Sequence, residues 1–455
     1  MPRMQAINPA TEEPLRDYPE HDGAEAARRI ERAAAAFPSW RDFTFAERAA
    51  LLSRVGALLR GGRDAYARLM TEEMGKPIAA AEAEVDKCAW GCDFYAEHAQ
   101  GFLAPETVKT DASRSFIRYE PLGPVLAIMP WNFPFWQLFR FAAPALMAGN
   151  VALLKHASNV PGCALAIEEI FRQAGCPPGV MTTLLVPSSR TRELIAHEQV
   201  RAVTLTGSEP AGRKVAAEAG RQLKKTVLEL GGSDAFIVLG DADPVAVADQ
   251  AAKARTVNSG QSCIAAKRFI VVEEVAERFE NALIRRMEAL TVGDPLDRRT
   301  AVGPLARADL LDTLDDQVRR SLAAGARLLT GGRRRDGRGW FYEPTVLAGV
   351  EPGMAAFDEE TFGPVAAVVR ARDAAQAIAL ANRSRFGLGA SLWTSDPARG
   401  ADLAAEIEAG SVFVNGAVKS DPRLPFGGIK SSGYGRELSQ VGIREFVNVK
   451  TVWIK

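Results

Sequence analysis

The sequence predicts an α/β protein made of two successive strand–helix series and a small β element. Three observations predict it. From Gly123 onward, short apolar runs at 125–129, 151–154 and 203–205 each precede a turn and a helix-like segment, the mark of buried parallel strands. A second series begins near Gly232, with strands at 235–239, 269–272, 366–369 and 411–415 and helices at 276–290 and 309–324. Residues 113–120 and 445–454 alternate polar and apolar side chains, as exposed antiparallel strands do.

Residues 23–104 read as helices. Residues 24–36 are alanine-rich, 45–59 have helical apolar spacing, and 79–100 form a long amphipathic stretch. The alternating strands present edges that need covering, most simply by another subunit. With 455 residues the chain exceeds what one core holds, so two or three domains are expected.

Composition excludes several function classes. An apolar fraction of 47% and a charged fraction of 25% are those of a folded globular chain. Zero formal net charge argues against a nucleic-acid or polyanion binder. The one tight basic run, Arg333-Arg334-Arg335, lies among glycines and is expected to be an exposed turn between strands. No apolar stretch is long enough for a membrane span, and the first residues carry no signal-peptide core. Five cysteines, odd in number and sparse, fit a reducing cytoplasm. Cys88 and Cys92 share a helical face but have no nearby histidine, and the four histidines are scattered, so no metal site is expected.

The chemistry gathers around Cys263, in Asn258-Ser259-Gly260-Gln261-Ser262-Cys263. A lone cysteine among small residues can be approached by a substrate carbonyl, which a thiolate attacks well. Glu229, between two leucines and before two glycines, is a carboxylate whose apolar setting should raise its pKa, as suits a general base. Asn132, in Trp131-Asn132-Phe133-Pro134, can donate an amide N–H to a developing oxyanion beside the Cys263 backbone N–H. Lys155 ends an expected strand, where it can reach a nucleotide ribose or phosphate. Thr206-Gly207-Ser208 opens a helix, whose free N–H groups favour a phosphate.

With these motifs and Glu359-Glu360-Thr361-Phe362-Gly363-Pro364, the chain resembles the aldehyde dehydrogenase superfamily over nearly its full length. The resemblance implies a Rossmann-like cofactor domain (1–102 and 122–231), a catalytic domain (232–438) and oligomerisation strands (103–121 and 439–455), with a homodimer or homotetramer as the assembly. It assigns Cys263 as nucleophile, Glu229 as base, Asn132 as oxyanion donor and Glu437 as a second glutamate implicated in proton movement. It places Met129, Pro130, Trp131, Lys155, Ser158, Gly207, Ser208, Leu230, Glu360 and Phe362 at the cofactor.

Two departures from the family pattern matter. Many members carry an acidic residue three places after the ribose lysine; here that place holds Ser158, which removes a charge that would repel a 2′-phosphate. NADP is therefore favoured over NAD. Some relatives have a second cysteine beside the nucleophile that closes a redox switch; here the neighbours are Ser262, Ile264 and Ala265. The segments 133–140 and 415–423 look like the short succinate-semialdehyde dehydrogenases. Trp136 and Arg140 stand one helical turn apart, and Arg140 can hold a distal carboxylate, with Trp136 as an apolar wall and Ser420 as a hydrogen-bond donor.

The expected activity is NAD(P)-dependent oxidation of succinate semialdehyde through a thiohemiacetal and a thioester. The alternatives are glutarate semialdehyde or an uncharged aldehyde as substrate, and a non-catalytic binding protein. A coenzyme-A-acylating relative would tend to lack the Glu229 carboxylate. A cysteine hydrolase would need a histidine near Cys263, and none lies in that segment.

Overall fold

The first strand series forms a six-stranded sheet whose strands run, edge to edge, Gly433–Tyr434, Lys225–Glu229, Ala202–Thr206, Pro124–Met129, Val151–His156 and Met181–Thr183. All neighbours pair in parallel except Gly433–Tyr434, which is antiparallel to Lys225–Glu229. These strands are apolar on both faces because helices cover both, the expected outcome for parallel strands. The chain order reverses between Pro124–Met129 and Ala202–Thr206, so a crevice opens beyond the carboxyl ends of those two strands. Pro130, Trp131 and Asn132 leave one strand there, and Gly207 and Ser208 leave the other.

The computed structural model describes residues 3–455. Its second sheet has seven strands, in the order Arg327–Thr330, Thr345–Ala348, Val365–Ala371, Arg268–Val272, Ala235–Val238, Gly389–Trp393 and Ser411–Val414. Only the edge strand Arg327–Thr330 is antiparallel. Arg333, Arg334 and Arg335 sit in the exposed connection after that edge strand, where Arg333 pairs with Glu343 and Arg334 with Asp312. The alternating segments pair with each other: Val447–Ile454 runs antiparallel to Arg114–Pro121, from Val447 opposite Pro121 to Ile454 opposite Arg114, and Glu106–Thr107 adds a third strand. Val449, Trp453 and Ile454 stand exposed on it.

The helices before the first sheet extend the expected boundaries. Gly23–Asp42 runs past Pro38 because buried Trp40 anchors its last turn, while Asp22 caps its start. Phe45–Gly61 begins with a capping box: the Glu47 N–H donates to Thr44 Oγ1 and the Thr44 N–H to Glu47 Oε2. Ile78–Phe102 is the long helix, with Cys88 and Cys92 both buried on its inner face. An N-terminal hairpin, Arg3–Ile7 with Pro14–Pro19, has no counterpart in the sequence expectations. Among the described residues no helix is long and apolar enough to cross a membrane.

Candidate active site

Cys263 is delivered by a strained loop. The Pro244–Thr256 helix stops, and Asn258 (φ 52°, ψ 45°), Ser259 (φ 57°) and Gly260 (φ 79°) follow in left-handed conformation. Non-glycine residues held there cost about 1–3 kcal/mol each and persist only where their surroundings fix them. Asn258 Nδ2 donates to the carbonyls of Asn132 (2.7 Å) and Gln261 (3.1 Å). Ser259 Oγ accepts from the Gly303 N–H (2.9 Å), and Gln261 Oε1 accepts from the Ala306 N–H (2.9 Å). Gly260 is also required by space, since a Cβ would fall 2.2 Å from the Gly363 carbonyl oxygen.

Beneath the loop lies Lys267, fully buried. Its Nζ donates to the carbonyls of Ser262 (3.0 Å), Cys263 (2.8 Å) and Ala265 (3.1 Å) and stands 3.8 Å from Glu360. Burial lowers the Lys267 pKa, and Glu360 works against that shift. Burial also pushes the Cys263 thiol up to about 12, while the charges of Arg140 and Lys267 pull it down. Sequence reasoning passed over Lys267. Its signal was a charge inside the otherwise small and apolar run Ile264-Ala265-Ala266 that leads into a buried strand.

The 130–136 turn is pinned from three sides. Asn132 is buried, and its Nδ2 donates to the Gln261 carbonyl (3.2 Å), which ties it to the nucleophile loop. The His156 ring accepts the Ala157 N–H at Nδ1 (2.9 Å), so its Nε2 carries the proton and donates to the Pro134 carbonyl (2.8 Å). Burial drops that imidazole to about 4, which keeps it neutral. Glu84, on the long helix, accepts the N–H groups of Phe135 and Trp136 (2.9 Å each) at the start of the wholly buried Trp136–Met147 helix. Glu84 in turn pairs with buried Lys76, whose ammonium lies 3.8 Å from the centre of the Phe133 ring.

Arg140 joins the two glutamates. Its Nε pairs with Glu437, its Nη2 donates to Thr206 Oγ1 (3.2 Å), and its guanidinium stacks over the Phe426 ring at 4.5 Å. Glu229 ends its strand fully buried with no hydrogen-bond partner on either carboxyl oxygen. Burial raises its pKa well above the ordinary carboxyl range; Arg140 opposes this and Glu437 adds to it. Burial raises the Glu437 pKa as well, and Arg140, in direct contact with it, opposes that shift.

A cavity of about 300 Å³ opens beside Cys263. Trp136, Arg140, Ser420 and Phe426 line it, as does Lys87, which sequence reasoning missed. Lys87 follows Ala80, Ala83 and Glu84 at helical spacing on the same face of the long helix, a pattern that could have found it. Asn132, Glu229 and Glu437 are not among the residues that line it. Among the lining residues Lys87, Arg140 and Lys419 are cationic, and the one carboxylate, Glu84, is already taken by Lys76.

The residues at the sheet's switch point suit a dinucleotide. Ser208 precedes the Glu209–Arg221 helix without a side-chain cap, which leaves that helix's first N–H groups free. Lys155 is buried with its Nζ bonded only to the His156 carbonyl (3.0 Å); burial alone lowers it to about 8, with no carboxylate offsetting the charge. Ser158 is exposed nearby. Met129 and Leu230 are buried at the strand ends, and the rings of Trp131 and Phe362 meet edge-to-face at 5.7 Å. Glu360 accepts the Gly232 N–H (3.0 Å), and burial raises its pKa.

Comparison with known proteins gives a consistent picture. The model of the aldehyde dehydrogenase family matches residues 2–452. A probable NADP(+) succinate-semialdehyde dehydrogenase of Synechocystis is 54% identical over 451 residues, 99% of each chain. A succinate-semialdehyde dehydrogenase [NADP(+)] of Mycobacterium avium is 51% identical, covering 99% of this chain and 96% of its own. The crystal structure of succinic semialdehyde dehydrogenase from Streptococcus pyogenes in complex with NADP+ superposes with a TM-score of 0.97 at 40% identity, over 99% of both chains.

Proposed function

The chain belongs to the aldehyde dehydrogenase family, and from that premise we propose that it oxidises succinate semialdehyde to succinate with NADP. The observation that carries the substrate is the small cavity beside Cys263, which holds more positive charge than its own carboxylates neutralise. An anionic group fits there, and the volume suits a short chain. Arg140 and Ser420 face the distal carboxylate, with Trp136 as the wall between.

Cys263 gives its proton to water, its thiolate adds to the aldehyde carbon, and the oxygen becomes an oxyanion held by the Asn132 amide and the Cys263 N–H. A bound nicotinamide would supply the acceptor for the aldehyde's hydride, and the Cys263 adduct would then be a thioester. Glu229, once ionised, takes a proton from water, and the resulting hydroxide displaces the thiolate to release succinate. Glu437 holds Arg140 in place, and its charge adds to burial in raising the Glu229 pKa.

Lys155 and Ser158 hold the adenosine ribose and its 2′-phosphate. Gly207 and Ser208 hold the pyrophosphate. Glu360 holds the nicotinamide ribose, with Phe362, Leu230 and the 129–131 segment packed around it. The exposed apolar side chains of Val447–Ile454 suit a homodimer or homotetramer, and five free cysteines suit the reducing cytoplasm. Initial rates with succinate semialdehyde, glutarate semialdehyde and butanal, each with NADP and with NAD, test the proposal. The highest kcat/KM is expected for succinate semialdehyde with NADP; a preference for butanal would overturn it.

A further inference from the structure

We propose that Lys87 is the principal determinant of carboxylate recognition, and that it works as a unit with Ser420 and Trp136. This rests on the substrate assignment above and adds the group that enforces it. Arg140 alone does not supply free charge to the cavity, because Glu437 already pairs with it and Thr206 takes a second nitrogen. Lys87 is different. It is half-buried in the cavity wall and has no carboxylate within ion-pair distance among the described residues.

The carboxylates that face Lys87 are both committed elsewhere. Glu84, on its own helix, serves Lys76 and two backbone N–H groups. Asp421, on the opposite loop, forms two hydrogen bonds with the Arg423 guanidinium (2.8 and 2.7 Å). Arg140, on the helix packed alongside, repels Lys87 rather than balancing it. An ammonium partly shielded from water and without a counter-ion binds an incoming carboxylate more strongly than an exposed lysine does.

The neighbouring hydrogen bonds prepare the second contact. Lys87 Nζ donates to Ser420 Oγ (2.7 Å), and Trp136 Nε1 donates to the same oxygen (2.9 Å). Both lone pairs of that hydroxyl are thereby used, so its hydrogen is left to donate. The Lys87 ammonium also sits 4.5 Å from the centre of the Trp136 ring, which fixes its side chain across the cavity wall. A carboxylate there receives one hydrogen bond from Lys87 and one from Ser420, while the guanidinium of Arg140, which also lines the cavity, adds positive charge.

Lys87→Met keeps the length and the packing against Trp136 and removes the charge. The ratio of kcat/KM for succinate semialdehyde to that for butanal is expected to fall about 30-fold or more, through KM, as for loss of one partner in a desolvated charged contact. Lys87→Arg is expected to restore most of the ratio. Succinate should inhibit butanal oxidation by the wild type competitively and lose that inhibition in Lys87→Met, a readout independent of semialdehyde turnover. If the wild type prefers the semialdehyde and Lys87→Met leaves the ratio and succinate inhibition unchanged, the role of Lys87 is overturned while the substrate assignment stands. A fall in both substrates alike makes Lys87 structural and also overturns it. If the wild type prefers butanal, the substrate assignment itself fails.

Discussion

Replacing Lys267 by methionine tests whether the nucleophile loop is held from beneath. The side chains match in length, so the change removes charge and three hydrogen bonds with little change in volume. Those bonds run to the carbonyls of Ser262, Cys263 and Ala265 at 2.8–3.1 Å from a fully buried ammonium. Breaking a buried charged set by deleting one partner costs about 3–5 kcal/mol. The left-handed residues Asn258 and Ser259 store about 1–3 kcal/mol each just upstream, so a loosened loop has a reason to relax. Two effects are expected together. The melting temperature falls by several degrees, read by calorimetry or circular dichroism. The kcat drops about 100-fold or more, because a displacement of about 1 Å at the sulfur is enough for that. Alkylation of Cys263 by iodoacetamide should change as well, since the cation that pulls its thiol pKa down is gone. A variant with wild-type melting temperature, kcat and alkylation rate would refute the clamp.

Two further outcomes follow from charge. Ser158→Glu should shift preference from NADP toward NAD by about tenfold, since a carboxylate beside Lys155 repels a 2′-phosphate and the exposed site screens part of the effect; kcat/KM with each cofactor measures it, and an unchanged ratio would separate Ser158 from the phosphate. The Lys87 ammonium is lowered to about 8, chiefly by burial and then by Arg140, with Cys88, Glu84 and Asp421 opposing. Below that pH it is charged and binds carboxylate, and above it the charge is lost. The ratio of kcat/KM for succinate semialdehyde to that for butanal should therefore be flat at neutral pH and fall by about tenfold per unit well above 8. A ratio that rises with pH would contradict the sign.

Much of the architecture was legible because the residues obey simple periods. The continuous apolar run at 125–129 became a central parallel strand, and the alternation at 445–454 became an edge strand. The N-terminal hairpin was not legible, since Pro14–Pro19 is bounded by prolines and exposed along most of its length, with Tyr18 alone buried. The Trp136–Met147 helix carries no capping signal of its own; its cap is Glu84, fifty-two residues earlier than Trp136 in the chain and adjacent in space. The expected segment 232–438 also contributes a strand, Gly433–Tyr434, to the first sheet, a pairing that two residues cannot announce.

The site divides in the same way. Cys263, Arg140, Trp136 and Ser420 were found from motif and spacing, and they line one cavity. Their meaning shifted once the partners were known. Arg140 has Glu437 on one flank, and the Ser420 hydroxyl is an acceptor twice over before it can donate. Lys87 and Lys267 carry only a spacing or a misplaced charge as their local signal, which says nothing of their chemistry. Their roles depend on which carboxylates are already taken, which only the fold decides.

The central claim is a covalent acyl-enzyme on Cys263 that Glu229 hydrolyses. Its most direct test is the mass of the Cys263 peptide after Glu229→Gln is mixed with succinate semialdehyde and NADP and quenched in acid. A burst of NADPH, slow turnover afterward, and a gain of one succinyl group on Cys263 are expected. An unmodified peptide with equal loss of burst and steady-state rate would contradict it.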